Sequence, residues 1–300
     1  MILCLRALPR SSHENITMFL YIFARILRLL SRKLPLRVSY ASANFLAEIT
    51  YILWRRGRTN LKMNAARILG PQASQRQINY SSRLCMRNYL KYAVDFLRSS
   101  LSGPEEIVKR LNIEGAENLD EALKEGKGAV IVSLHFGHWD FGAMEIANRG
   151  YPVNVVVDHI CQPRVNGFVD RLRSMSGMKV IAARDGITQM LRRLRKNEIV
   201  GMLIDKPNNG RGVKIDLCGS PTVVPTGAAV LSLRTGAKII PCGTVRLPNN
   251  TIHVILGKHV SFQRTGNFSH DAQILMQEVW HELEKVIKEY PEQLYVFHRL

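Results

Sequence analysis

Apolar residues recur with helical spacing over the first hundred positions, and beyond about position 115 they gather into short runs. Ser11 and Glu14 stand three apart before an apolar run at 16–24, the spacing of a capping box, which predicts a helix over 12–34 stopped by Pro35. Two more helices are expected over about 36–56 and 77–98. From Gly115 onward, β-branched runs at 128–134, 153–157, 199–204, 213–217, 237–244 and 251–256 alternate with helical stretches. A closing helix over 273–290 ends at Pro291. The alternation predicts an α/β fold with a central mixed sheet flanked by helices over 115–300, preceded by a mostly helical subdomain over 1–114.

Charge divides the chain near the same place. Residues 1–100 hold 17 Lys and Arg against 3 Asp and Glu, whereas the remaining 200 hold 25 and 21. The N-terminal third therefore suits an anionic surface. Arg25, Arg28 and Arg32 fall within about 60° of one another around the expected first helix, with large apolar side chains over the rest of its circumference. A buried helix with a basic edge would also fit, but the regional charge favours an interfacial helix on anionic membrane lipids. The first uncharged run is nine residues, short of the roughly 18 needed to span a bilayer, so no conventional transmembrane helix is expected. More helix and more arginine follow where a signal-peptide cleavage site would stand. Apolar residues make up 46% of the chain, which excludes a disordered protein. Five scattered cysteines without a C-x-x-C pair suggest neither a disulfide framework nor a zinc ribbon.

The chemistry concentrates in residues 129–142, where an apolar strand runs into His135, a glycine turn at Gly137 and a helix opening at about His138. Across such a turn Asp140 can accept from Nδ1–H of His135 and leave Nε2 as a base. The helix N-terminus, with N–H groups near Gly137 and His138, would meet an oxyanion. A histidine at a strand end is more often structural, and alone the H-x4-D spacing is a weak signal. A metal reading of His135, His138 and Asp140 finds no further His or Cys at familiar ligand spacing.

At these residues the chain resembles the bacterial lipid A biosynthesis acyltransferases and the related phosphatidylinositol mannoside acyltransferases, within the H-x4-D lysophospholipid acyltransferases. The matching segments are 58–64, His135-Phe-Gly-His-Trp-Asp140, Arg171-Leu-Arg-Ser174, Leu203-Ile-Asp205, 213–219 with Pro225-Thr-Gly-Ala, and 290–299. The resemblance implies acyl transfer from an acyl carrier protein or CoA thioester to a hydroxyl of a glycolipid or lysophospholipid acceptor. It implies His135 as general base, Asp140 as its partner, Asp205 as a further essential acid, and Arg171 or Arg173 as a contact for phosphate or oxyanion. It implies no metal and no tightly bound organic cofactor. Lipid A members usually carry Glu where this chain has Asp140, and the mannoside enzymes carry Asp.

The expected location is the cytoplasmic face of the inner membrane, peripheral or monotopic. A basic nucleic-acid-binding module is the rival from another class, but the basic residues are interleaved with aliphatic and aromatic ones, and no stacking motif or phosphate-cradling loop accompanies them. A membrane-surface scaffold without activity is a second rival, against which the intact His135 and Asp140 argue.

Overall fold

The computed structural model describes residues 22, 25, 26, 28, 34–99, 109–159, 163–206 and 212–300. The helix expected over 12–34 lies outside the described residues except for Ile22, Arg25, Ile26 and Arg28, which are helical, and Leu34. Three helices then follow: α1 (Leu36–Leu53), α2 (Arg55–Leu69) and α3 (Gln75–Arg98). The single helix expected over 36–56 is broken at Trp54, whose φ of −89° and ψ of 76° leave the helical region. Ser74 starts α3 two residues earlier than expected, because its side chain and that of Gln77 form a reciprocal capping box.

The remaining chain is β1 (Leu111–Glu114), α4 (Ala116–Lys124), β2 (Ala129–Ser133), α5 (Trp139–Asn148), β3 (Val153–Val157), α6 (Pro163–Met175), β4 (Lys179–Ala182), α7 (Gly186–Leu194), β5 (Ile199–Leu203), β6 (Val213–Leu217), β7 (Ser220–Val224), α8 (Gly227–Thr235), β8 (Lys238–Arg246), β9 (Ile252–Leu256) and α9 (Phe268–Glu289). Seven strands form one sheet in the order β1-β9-β8-β2-β5-β3-β4, and β6 and β7 form a separate hairpin. Pairing is parallel throughout the large sheet except between β8 and β9, so the sheet is mixed, as the alternation predicts. All six anticipated strands are present, within two residues of their expected limits. The unforeseen ones, β1, β4 and β7, are four or five residues long and carry charged, exposed or proline positions that blur a strand pattern.

β2 is buried along its whole length. It lies between β8 and β5, with helices over both faces, and so reads as a continuous apolar run rather than an alternating one. Val130 and Val132 join one core with Trp280, Met276 and Leu283 of α9, and Ala129 and Ile131 join the other with Leu119, Ile146 and Val254. The N-terminal helices join through a third cluster, in which Tyr92 and Met86 of α3 and Tyr51 of α1 meet Tyr295 and Phe297 near the C-terminus. Among the described residues no helix is long and apolar enough to cross a membrane.

Candidate active site

Strand register builds the centre of the site. Ser133 at the end of β2 pairs with Leu203 at the end of β5, in parallel. Two residues on, His135 and Asp205 therefore leave the sheet level with each other. His135 Nδ1 lies 2.9 Å from Asp205 Oδ2 and 3.0 Å from Oδ1, and the His135 backbone N–H donates to Oδ1 at 3.1 Å. The Asp205 side chain is buried, whereas that of His135 keeps 29% of its surface exposed. Burial opposes an imidazolium here, but the Asp205 carboxylate outweighs it and raises the His135 pKa above its ordinary 6.5. Burial likewise works against the Asp205 carboxylate, and His135 together with backbone N–H groups overcomes it and holds its pKa below the usual value. A carboxylate accepts only, so Nδ1 carries the proton and Nε2 is the basic nitrogen. The edge of Trp139 closes one side of the ring, with centroids 5.2 Å apart.

Asp140 is not the acceptor that the H-x4-D spacing suggests. It sits in the first turn of α5, where Arg173 donates Nε–H to Oδ1 at 2.7 Å and Tyr92 donates its hydroxyl to Oδ2 at 2.6 Å. The helix turns this carboxylate toward α3 and α6 and away from the Nδ1 edge of His135. The Arg173 guanidinium is mostly buried and lies over the Phe96 ring; burial disfavours its charge, and Asp140 more than compensates. Burial and the adjacent Asp140 carboxylate push the Tyr92 hydroxyl well above its ordinary pKa, so it remains a donor. Arg171, two residues from Arg173, is exposed.

Gly137 and His138 do not supply oxyanion donors in this arrangement. The Gly137 N–H donates to Gln293 O and the His138 N–H to Thr244 O, both at 2.8 Å. Gly137 has φ +52°, and a Cβ there would run into the Thr244 carbonyl, so the turn admits only glycine. The His138 ring is fully buried. Its Nε2–H donates to Asp95 at 3.0 Å, and burial lowers its pKa to about 4 despite that carboxylate. His135, His138 and Asp140 thus face three different partners and do not converge on a point where a metal would be held.

Asp95 and Tyr92 were not legible as site residues. Asp95 also accepts from Tyr40 at 2.7 Å, Arg110 at 3.1 Å and Arg246. Burial would raise its pKa, but His138 and the two guanidiniums hold it far below the usual carboxylate range. One signal stood in the sequence: Asp95 is the only acid in the 24 residues of α3, within an aromatic and aliphatic stretch.

A cleft runs from Trp139, Asp140 and Arg173 between α5 and the sheet. Apolar side chains, Ile131, Ile146, Val153 and Val155 among them, form its walls. The site thus combines an imidazole held by a carboxylate, a buried guanidinium and an apolar cleft.

A family model described as bacterial lipid A biosynthesis acyltransferase matches residues 7–300. Proteins named phosphatidylinositol mannoside acyltransferase in two strains of Mycobacterium tuberculosis, CDC 1551 / Oshkosh and ATCC 25618 / H37Rv, are 29% identical to the chain over 194 residues, covering 62% of it and 60% of each of them. A protein of the same name in Mycolicibacterium smegmatis is 23% identical over 205 residues, 67% of either chain. The chain therefore matches three fifths of the length of the first two relatives.

Proposed function

Since the chain belongs to the bacterial lipid A biosynthesis acyltransferase family, we propose that it transfers a fatty acyl group from a thioester to a hydroxyl of a glycolipid or lysophospholipid at a membrane surface. The observation that carries this reading is the His135–Asp205 pair beside an apolar cleft. Asp205 fixes the imidazole tautomer, and Nε2 takes the proton of the acceptor hydroxyl as its oxygen attacks the thioester carbonyl. The tetrahedral intermediate collapses, the C–S bond breaks, and the imidazolium returns the proton to the leaving thiolate. No acyl-enzyme, metal or bound organic cofactor enters the scheme. Arg173 spends two of its five N–H donors on Asp140 and offers the rest to the oxyanion or to a phosphate. Asp140 and Tyr92 then act by holding Arg173. The apolar cleft takes the acyl chain.

Two acceptors suit the family. The relatives' names and the Asp at position 140 favour a phosphatidylinositol mannoside type of acceptor; the family's description favours a lipid A precursor. The donor is an acyl carrier protein or CoA thioester, and the working location is the cytoplasmic face of the inner membrane, peripheral or monotopic, with anionic lipids as partners. Mass spectrometry of lipids from cells with and without the gene tests the reading. Loss of one acyl group from one glycolipid names acceptor and chain length together, and an unchanged lipid profile in a strain that expresses the protein would leave a non-catalytic scaffold. Purified protein offered acyl-CoA and acyl carrier protein in parallel identifies the donor.

A further inference from the structure

Helix α1 has two apolar faces. Tyr40, Ala43, Ala47 and Tyr51 point inward, α3 being its main neighbour. On the opposite side Val38, Phe45, Leu46, Ile49, Ile52 and Leu53 are exposed, with 67% of Phe45, 62% of Ile52 and 75% of Leu53 accessible. At 100° per residue these six fall within about 120° of arc, a continuous stripe along the helix. Large exposed side chains in such a stripe mark a surface that is covered in use. The exposed Arg37 begins the stripe, and the exposed Arg55 and Arg56 follow its end. Glu48, the one acid of α1, lies to the side and is paired with Arg83 and Arg87.

We propose that the outer face of α1 is seated in an anionic lipid surface, with the helix parallel to the bilayer plane. The inference rests on the reading that the acceptor is a membrane lipid, and it names the surface that reaches it. Its 18 residues extend about 27 Å, and the inward face is committed to protein, so α1 lies in the interface and does not span it. A second copy of the chain is a poorer occupant. Antiparallel pairing of two α1 stripes would bring Arg37 against Arg55 and Arg56, and parallel pairing would bring each arginine against itself. Anionic headgroups receive those charges while hydrocarbon receives the stripe.

The placement also suits the site. At the end of α1, Trp54 packs on Phe297 with centroids 5.3 Å apart, and two residues earlier in the C-terminal segment the Tyr295 N–H donates to the His135 carbonyl at 2.7 Å. On the inner face of α1, Tyr40 bonds Asp95, which holds His138 of the catalytic turn. A bilayer against α1 is thus set in a fixed relation to His135.

The test uses the full chain and vesicles of phosphatidylcholine with or without phosphatidylglycerol. A Phe45→Trp variant should shift its emission to the blue on anionic vesicles and be quenched by phospholipids brominated in the acyl chain. A Gln189→Trp variant, at an exposed position of α7, should not. Phe45→Ser with Ile52→Ser should lower vesicle partitioning about tenfold per residue, and Arg55→Gln with Arg56→Gln should remove most of the preference for phosphatidylglycerol. Neither pair should change transfer to a detergent-dispersed acceptor. A vesicle-bound Phe45→Trp protein that is not quenched would overturn the proposal and assign attachment to another segment, such as residues 12–34. Burial of Trp at position 45 by self-association without vesicles would overturn it in favour of a second copy. Quenching without any acyl transfer in detergent would uphold the docking surface and sink the proposed activity.

Discussion

Asp205 stands level with His135 on the neighbouring parallel strand and receives its Nδ1–H at 2.9 Å, one strand away from the helix that carries Asp140. Orientation of the His135 imidazole therefore depends on the β2–β5 register. His135→Ala should lose about 10²–10⁴-fold in transfer, and Asp205→Asn a smaller part of that, because the base remains but its tautomer is no longer fixed. Single-turnover rates on folded proteins check both. A His135→Ala protein working at the wild-type rate would exclude the proposed mechanism.

The same pair sets a pH dependence. With the His135 pKa raised above 6.5, the neutral base is reached only at higher pH, so the acid limb of kcat/KM should lie above 6.5 and move down in Asp205→Asn, where burial acts without the carboxylate. Stability runs the other way. The contribution of His135 is complete below its unfolded-state value and fades as pH rises through the folded one, while Asp205 stays ionised. A pH–rate profile of the two proteins reads the first effect, and thermal melting across the same range reads the second.

His138 has the opposite sign. Its pKa falls to about 4 in the folded chain, so the unfolded state binds the extra proton first, and stability should decline as pH drops from about 6.5 toward 4. The full loss is roughly 3 kcal/mol. His138→Gln, which keeps a donor for Asp95 and cannot be protonated, should flatten that decline in urea melts taken at successive pH values.

Arg173 and Asp140 should behave as a unit. Either Arg173→Ala or Asp140→Ala leaves the other charge buried and unpaired, at a cost of about 3–5 kcal/mol. The double variant should recover part of that stability but not the activity. Arg173→Lys should substitute poorly, since it loses the planar fork. The exposed Arg171 should tolerate Ala with little change. Denaturant midpoints beside kcat/KM for the five variants separate the two arginines, and equal sensitivity at position 171 would contradict this division.

Gly137→Ala should be among the most damaging small substitutions in the chain. It meets both a left-handed backbone and the Thr244 carbonyl, so the turn must shift and carry His135 and His138 with it. A loss of melting temperature together with activity is expected; Gly70→Ala, left-handed but unobstructed, should lose less stability and little activity.

Most of the scaffold was legible in the sequence because its signals are local. β2, β3 and β5 announce themselves as β-branched runs, Pro35 and Pro291 mark helix limits, and the segment from His135 to Asp140 reads as strand, turn and helix. The basic first third and its apolar helices are also written in the residue order. Relations between distant segments are not. Asp205 is 70 residues from His135, and only the sheet register places them level. Asp140, although near in sequence, is carried to Arg173 and Tyr92 by the first turn of α5, and the N–H groups of Gly137 and His138 are taken by Gln293 and Thr244 from the far end of the chain. Helical periodicity predicts a helix at α1, but not which of its faces α3 covers. Residue order fixes local backbone preference and which side chains are apolar. Partners come from packing, where burial presses carboxylates, imidazoles and N–H groups toward whichever group the topology brings within reach.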